Sequence, residues 1–216
     1  MKRNTFSLWN NRFRLWKKDI LDHRPQLLLS LIFAAVSLVL NFLSGFYVAR
    51  TGVASPHDLI LDYLPVVDLS IIYVLLFMMM ISLFIIYPLV YSPRRIHIMI
   101  GMMSLFVLIR SGFVVLTHLS MPEGAISPLT YSPWIYSLFS FNNYLFFAGQ
   151  VGIPFLGYLM YQEHKRLRRV FLISSFILAI TALLMHRHYS IDVLSAYFIT
   201  YGVYKMGIYI FRESHE

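Results

Sequence analysis

The sequence predicts an all-α fold, a polytopic membrane protein built as a bundle of six transmembrane helices. Three observations carry this prediction: the composition, six apolar segments of about the length of a membrane span, and an uneven distribution of Lys and Arg. Hydrophobic residues make up 58% of the chain, charged residues only 13%, and the mean hydropathy is +0.67. This composition excludes an ordinary soluble domain.

Six apolar segments define the predicted membrane domain. They cover about residues 27–48, 69–91, 96–120, 143–161, 170–186 and 190–211. Each approaches the ~20 residues that a helix needs to cross a ~30 Å hydrocarbon layer. The fourth is interrupted by polar residues and a proline, which a span tolerates where neighbouring helices or water satisfy its backbone. The predicted organisation is a leader at 1–26, a six-helix membrane domain at 27–211 and a tail at 212–216.

Basic residues predict how the bundle is oriented. Of the 18 Lys and Arg residues, fifteen fall in the leader, the second and fourth connections and the C-terminal end, whereas only Arg50 and Arg187 fall on the opposite side. Because basic residues concentrate on the cytoplasmic side, both termini are expected in the cytoplasm of a multi-pass cell-membrane protein. The net charge of +8 is then a signal of topology and of contact with anionic lipid, with no nucleic acid implied. The leader, in which Trp and Phe alternate with Lys and Arg, is expected to lie on the lipid surface.

The segment HRHYSIDV, residues 186–193, places ionisable groups at the predicted outer membrane boundary. Such groups are functional candidates. His188 and Asp192 are four residues apart, so on one helix face Asp192 can fix the ring tautomer and stabilise an imidazolium. In the alternative interpretation, His186 and His188 are wet interfacial residues and Asp192 is a carboxylate at a helix start. A metal site at these residues has usable ligand types but lacks a further ligand nearby, so no metal and no cofactor is expected.

Two residues of the third segment are expected near the same boundary. Arg110 lies roughly 21 Å along its helix from Ile96 at 1.5 Å per residue, and a buried guanidinium there needs an anion such as a lipid phosphate. A structural ion pair with Asp192 or Asp62 is the alternative. His118 follows two turns later on roughly the same face. The small residues of FFAGQVG, residues 146–152, should let helices approach closely.

Three blocks carry a family resemblance: LIRSGFVVLTHLSMPEG at 108–124, FFAGQVGIPFL at 146–156 and HRHYSIDVLSAYFITYGVYK at 186–205. With LILDYLPVVD at 59–68, they resemble the sphingomyelin synthase-like branch of the type 2 phosphatidic acid phosphatase superfamily. The resemblance implies that superfamily's six-helix bundle and a phosphotransfer reaction on a lipid head group at the outer face. It implies that His188 attacks phosphorus and Asp192 orients it, with substrate-binding residues at Arg110, His118, His186 and Tyr189.

The resemblance also exposes a missing catalytic group. Where relatives read approximately DLFFSGHTG, this chain reads YLFFAGQVG, so that Gln150 stands at the position of the acid histidine and Ala148 at that of the serine. Glutamine has no proton to give at neutral pH, and losing a general acid typically costs ~10² to 10⁴ in rate. Two hypotheses follow. The chain is a lipid phosphatase or phosphotransferase acting on lipids with phosphate head groups, or it is a catalytically degenerate member that serves as a lipid-binding or partner protein. A transporter is disfavoured because repeated halves are not detectable.

Overall fold

A computed structural model describes residues 14, 16–48, 50–51, 55–126 and 147–211, except for the side chain of Arg94. Most of the leader, the predicted fourth-segment start and the tail therefore lie outside the described residues. The described part is all-helical, without a β-strand. Its six α-helices are α1 (Arg24–Val48), α2 (Ser70–Tyr91), α3 (Ile96–Thr117), α4 (Gly149–Met160), α5 (Lys165–Leu184) and α6 (Ser190–Phe211). Residues 16–22 are also helical, and short 3₁₀ turns cover Leu61–Tyr63 and Pro93–Arg95.

Four of these helices are long and apolar enough to cross a membrane, namely α1, α2, α3 and α5. Helix α6 has 22 residues, but Asp192, Lys205 and several tyrosines reduce its hydropathy. Helix α4 has only 12 residues, about 18 Å at the α-helical rise. The structure thus supports a membrane protein with four clear spans, and the prediction of six spans stays a prediction.

The predicted fourth segment, placed at 143–161, is not one continuous helix over the part that the structure describes, residues 147–161. The helix begins at Gly149, because Phe147 has a positive φ of 28° and Ala148 is extended. A left-handed backbone is rare for a bulky residue and interrupts a helix. The Phe147 ring is fully buried and packs edge-on against Phe106 and Phe113, which holds the chain in this conformation.

Helix α4 lies at the centre of the bundle. It packs against α5 and α6 and, less extensively, against α2, while α1 packs chiefly on α3. Two glycines permit the close approach: a Cβ on Gly152 would lie 2.8 Å from both the Phe106 ring and Thr200 Oγ1, and one on Gly157 would lie 2.6 Å from Phe171. The prediction that small residues of this segment allow close helix packing is confirmed at Gly152.

A proline explains how α2 is tied to the end of α4. Pro88 has no N–H, so the carbonyl of Phe84 loses its helical donor. The Tyr161 hydroxyl donates to that carbonyl at 3.0 Å. Within an apolar environment an unsatisfied carbonyl is unfavourable, so this hydrogen bond fixes the distance between the two helices.

Candidate functional site

The candidate site forms where the start of α6 meets the start of α4. The backbone N–H of Ala148 donates to the carbonyl of Asp192 at 3.1 Å, which joins the two helix starts directly. His188 precedes α6 and is only 2% exposed, while Asp192 in its first turn is completely buried. Residues far apart in the sequence are thereby brought together in a buried junction.

His188 contacts a different residue with each ring nitrogen. Nδ1 lies 3.6 Å from Asp192 Oδ2, and Nε2 lies 3.2 Å from Gln150 Oε1. The first distance exceeds hydrogen-bond range, so the two side chains are adjacent, but the expected hydrogen bond of Asp192 to the ring is not formed. With its proton on Nε2, the ring donates to the amide oxygen; with its proton on Nδ1, a rotated Gln150 amide would donate to Nε2.

Asp192 also has the structural role of a helix-start carboxylate. Its Oδ2 accepts a hydrogen bond from the N–H of Tyr189 at 3.1 Å, which is the backward half of a capping box. The two interpretations of this residue are therefore compatible, because one oxygen both caps α6 and faces the imidazole.

Burial lowers the pKa of His188 below its usual value, and Arg187 and Arg110 act in the same direction, while Asp192 opposes the shift. Desolvation disfavours the charged ring. A neutral ring has a free electron pair on one nitrogen, which is what a nucleophile requires.

Arg110 is 9% exposed and has no carboxylate partner in the described part of the chain. Its Nη1 donates to Asn41 Oδ1 at 3.4 Å, a neutral amide that also accepts from Ser111 Oγ at 3.3 Å. Its Nε has no hydrogen-bond partner among the described residues. The alternative of an ion pair with Asp192 or Asp62 is not seen, although Asp192 is close enough to act on Arg110 electrostatically.

The N-terminus of α4 lies beside this guanidinium. A Cβ added to Gly149 would lie 3.2 Å from Arg110 Nε, so glycine is what allows the approach. Ala148 at the cap position offers no side-chain oxygen to the first N–H groups of the helix. A positive helix end and a buried guanidinium together favour an anion at this point.

The other predicted substrate-binding residues make structural contacts of their own. His186, in a left-handed conformation, directs Nδ1 to the carbonyl of Glu123 at 3.3 Å and Nε2 to that of Leu64 at 3.2 Å. The Tyr189 hydroxyl lies 3.3 Å from Ser55 Oγ. His118 ends α3 and packs edge-on against Tyr47, with 5.6 Å between ring centroids.

Sequence reasoning missed Asn41 and Asp58. Asp58 Oδ2 accepts from the N–H of Ser190 at 2.6 Å, and its Oδ1 accepts from those of Ile60 and Leu61. Burial alone would raise the pKa of Asp58, but these hydrogen bonds lower it below its ordinary value. A remote loop residue therefore caps α6 beside His188. Short-range patterns contain no signal for such a contact, which joins residues 132 positions apart.

No group of three or more His, Cys, Asp or Glu side chains that could hold a metal ion occurs in the described ranges. Comparison of the chain with models of known protein families finds no matching family, and comparison with curated proteins finds no matching relative. The phosphatase resemblance accordingly rests on the sequence blocks and stays a prediction.

Proposed function

We propose that this protein binds a membrane lipid with a phosphate head group and transfers its phosphoryl group to His188, as a lipid phosphatase or phosphotransferase. The proposal depends on the surroundings of Arg110. Its guanidinium is buried and lies against the N-terminus of α4, and its Nε has no hydrogen-bond partner among the described residues. A phosphate oxygen accepts well from a guanidinium and from helix N–H groups. The His188 ring is placed in the same junction by its contact with Gln150.

The reaction would proceed in two steps. The electron pair of His188 Nε2 attacks phosphorus, the bond from phosphorus to the leaving oxygen breaks, and that oxygen leaves with the electron pair. Water or a lipid alcohol then attacks phosphorus, the bond from phosphorus to Nε2 breaks with its electron pair returning to the ring, and the proton of the attacking group neutralises the oxygen that left in the first step, giving hydrolysis or transfer. Asp192, beside Nδ1, would stabilise the positive charge that develops on the ring. The six-helix superfamily fold, the cytoplasmic termini and a site on the outer side belong to the same proposal, which the Lys and Arg asymmetry supports.

A second candidate is supported by the contact that covers the nucleophile. Gln150 Oε1 stands 3.2 Å from His188 Nε2, about where a reacting phosphorus must come to within ~3–3.5 Å. Catalysis therefore requires the Gln150 side chain to turn away. If it stays in place, the protein binds the lipid phosphate and performs no chemistry, as expected of a degenerate family member.

Transfer of ³²P from labelled lipid mono- and diphosphates to the purified protein tests the proposal. We expect acid-labile, alkali-stable labelling that is lost in His188→Asn. His164→Asn is the matched control, because this half-buried histidine lies between α4 and α5 and packs on Tyr87. Diphosphate lipids should label more strongly, since their leaving group needs little protonation. Saturable binding of the lipids without any labelling would establish the second candidate instead.

A further inference from the structure

A cavity of about 350 Å³ lies among α1, α2, α3 and α4, and its charged and amide groups are all at one end. Asn41, Arg110 and Gln150 line that end, which is also the end nearest His188. The remaining wall is apolar apart from two serines, and the hydroxyl of one of them, Ser104, donates to the carbonyl of Ile100 in its own helix. A ligand complementary to this cavity has one anionic group and a long apolar part.

The length of the cavity matches a hydrocarbon chain. Its wall follows α3 from Ile96 to Arg110, a distance of about 21 Å at the α-helical rise. A cavity of this length with an apolar lining fits an extended hydrocarbon chain of a lipid.

The cavity opens sideways between α1 and α2. Leu31 and Leu38 of α1 line it and are 49% and 50% exposed, and Ile85 and Leu89 of α2 line it and are 48% and 38% exposed. Helix α1 packs chiefly on α3, whereas α2 packs mainly against α4 and α5, so the seam between α1 and α2 is lightly packed. Surface exposed on a spanning helix faces lipid, so a chain can enter from the bilayer without leaving it.

We infer that this cavity is the binding groove for one hydrocarbon chain of a phosphate-bearing lipid, with the phosphate against Arg110 and the start of α4. The bound hydrocarbon chain follows α3 towards Ile96, and a second hydrocarbon chain of the same lipid stays in the bilayer outside the seam. That the bound lipid carries a phosphate rests on the proposed function. The position of its hydrocarbon chain is inferred from the cavity alone, and this position can be measured without catalytic turnover.

Photo-crosslinking tests the groove. A lipid phosphate with a diazirine at the end of its chain is bound to the full-length protein in nanodiscs, and the labelled peptides are identified by mass spectrometry. We expect saturable labelling of the peptides around Leu89 and Ile96. An unlabelled lipid phosphate should compete, while the alcohol with the same chain should compete about tenfold less well. Arg110→Gln should weaken binding about tenfold or more, as expected on losing a charged hydrogen bond.

Two neighbouring alanines of α1 provide a matched pair of variants. Ala34 lines the groove, and Ala35 is exposed to lipid. Ala34→Trp should abolish the saturable labelling, whereas Ala35→Trp should leave it unchanged. If Ala34→Trp does not fold, Ala34→Leu should still narrow the groove and reduce labelling by long chains.

The outcomes separate the two proposals. The proposed groove is wrong if wild type and both Ala34 variants are labelled equally, or if labelling spreads over the lipid faces of α5 and α6. This holds even if phosphohistidine forms. Labelling confined to the groove in a protein that forms no phosphohistidine leaves the groove in place and overturns the catalytic function.

Discussion

At the scale of single residues, the site combines groups suited to phosphate chemistry with one group that blocks it. A buried histidine whose pKa is lowered, a neighbouring carboxylate, and a guanidinium with no anionic partner among the described residues are what a phosphohistidine mechanism uses. In the proposed mechanism, Gln150 stands at the position of the proton donor, and its Oε1 lies 3.2 Å from His188 Nε2, the proposed nucleophile. The same side chain therefore leaves the proposed reaction without a proton donor at this position and keeps Nε2 covered in the structure.

Restoring the acid should therefore increase turnover. Gln150→His together with Ala148→Ser supplies a proton to the leaving oxygen and a hydroxyl at the cap of α4. We expect hydrolysis of lipid monophosphates to rise by ~10² to 10⁴, the usual range for a general acid, with a smaller gain for diphosphates. Release of inorganic phosphate measures the change. The same pair in a His188→Asn background should stay inactive, and activity there would show that His188 is not the nucleophile.

At the scale of elements, the start of α6 depends on a loop that precedes α2. Asp58 accepts from the N–H of Ser190, while Asp192 accepts from that of Tyr189, so two carboxylates satisfy consecutive backbone donors. Because Tyr189 and Ser190 directly follow His188, the loop around Asp58 also helps to fix the position of His188. A negative charge at this helix end is favourable as well.

Asp58→Ala should destabilise α6 and displace His188. Loss of an N-cap acceptor costs about 0.5–2 kcal/mol, so the melting temperature in detergent should fall by roughly 2–4 °C for each kcal/mol lost. Phosphohistidine formation should fall with it. Asp62→Ala is the control, since Asp62 is exposed four residues further on. Equal melting temperatures for the two variants would remove the capping role assigned to Asp58.

The sequence predicts elements well where local composition decides them and poorly where distant packing does. The bounds of α1, α2 and α6 lie within three residues of the predicted segments, because long apolar runs end at polar residues. Helix α4 begins only after a break at Phe147 and Ala148, and this break depends on the packing of the buried Phe147 ring, which the sequence does not show. Likewise, the spacing of His188 and Asp192 is visible in the sequence, whereas Asn41 reaches Arg110 only through the packing of α1 on α3.

At the scale of the whole molecule, the proposed function includes one orientation in the membrane. The loop with Asp58 and the segment after α3 lie at the end of α5, as shown by hydrogen bonds from Val67 N to the carbonyl of Leu184 and from Ile126 N to that of Met185. The hydrogen bond from Ser190 N to Asp58 places the start of α6 at the same end. The ion pair of Arg95 with Glu163, at 2.9 Å, lies at the opposite end of the bundle, where the α2–α3 and α4–α5 connections meet. The distribution of Lys and Arg predicts that the first end faces outward.

The absence of cysteine from the chain makes this orientation directly measurable. The test uses two variants with a single cysteine each, Asp62→Cys and Glu163→Cys, at exposed positions at opposite ends of the bundle. In intact cells, a membrane-impermeant maleimide should label Asp62→Cys and spare Glu163→Cys. After the membrane is permeabilised, both should be labelled, which controls for accessibility of the thiols. The reverse pattern in intact cells would place His188 on the cytoplasmic side. Its lipid would then come from the inner leaflet, and the proposed outward-facing site would be wrong even if its chemistry were right.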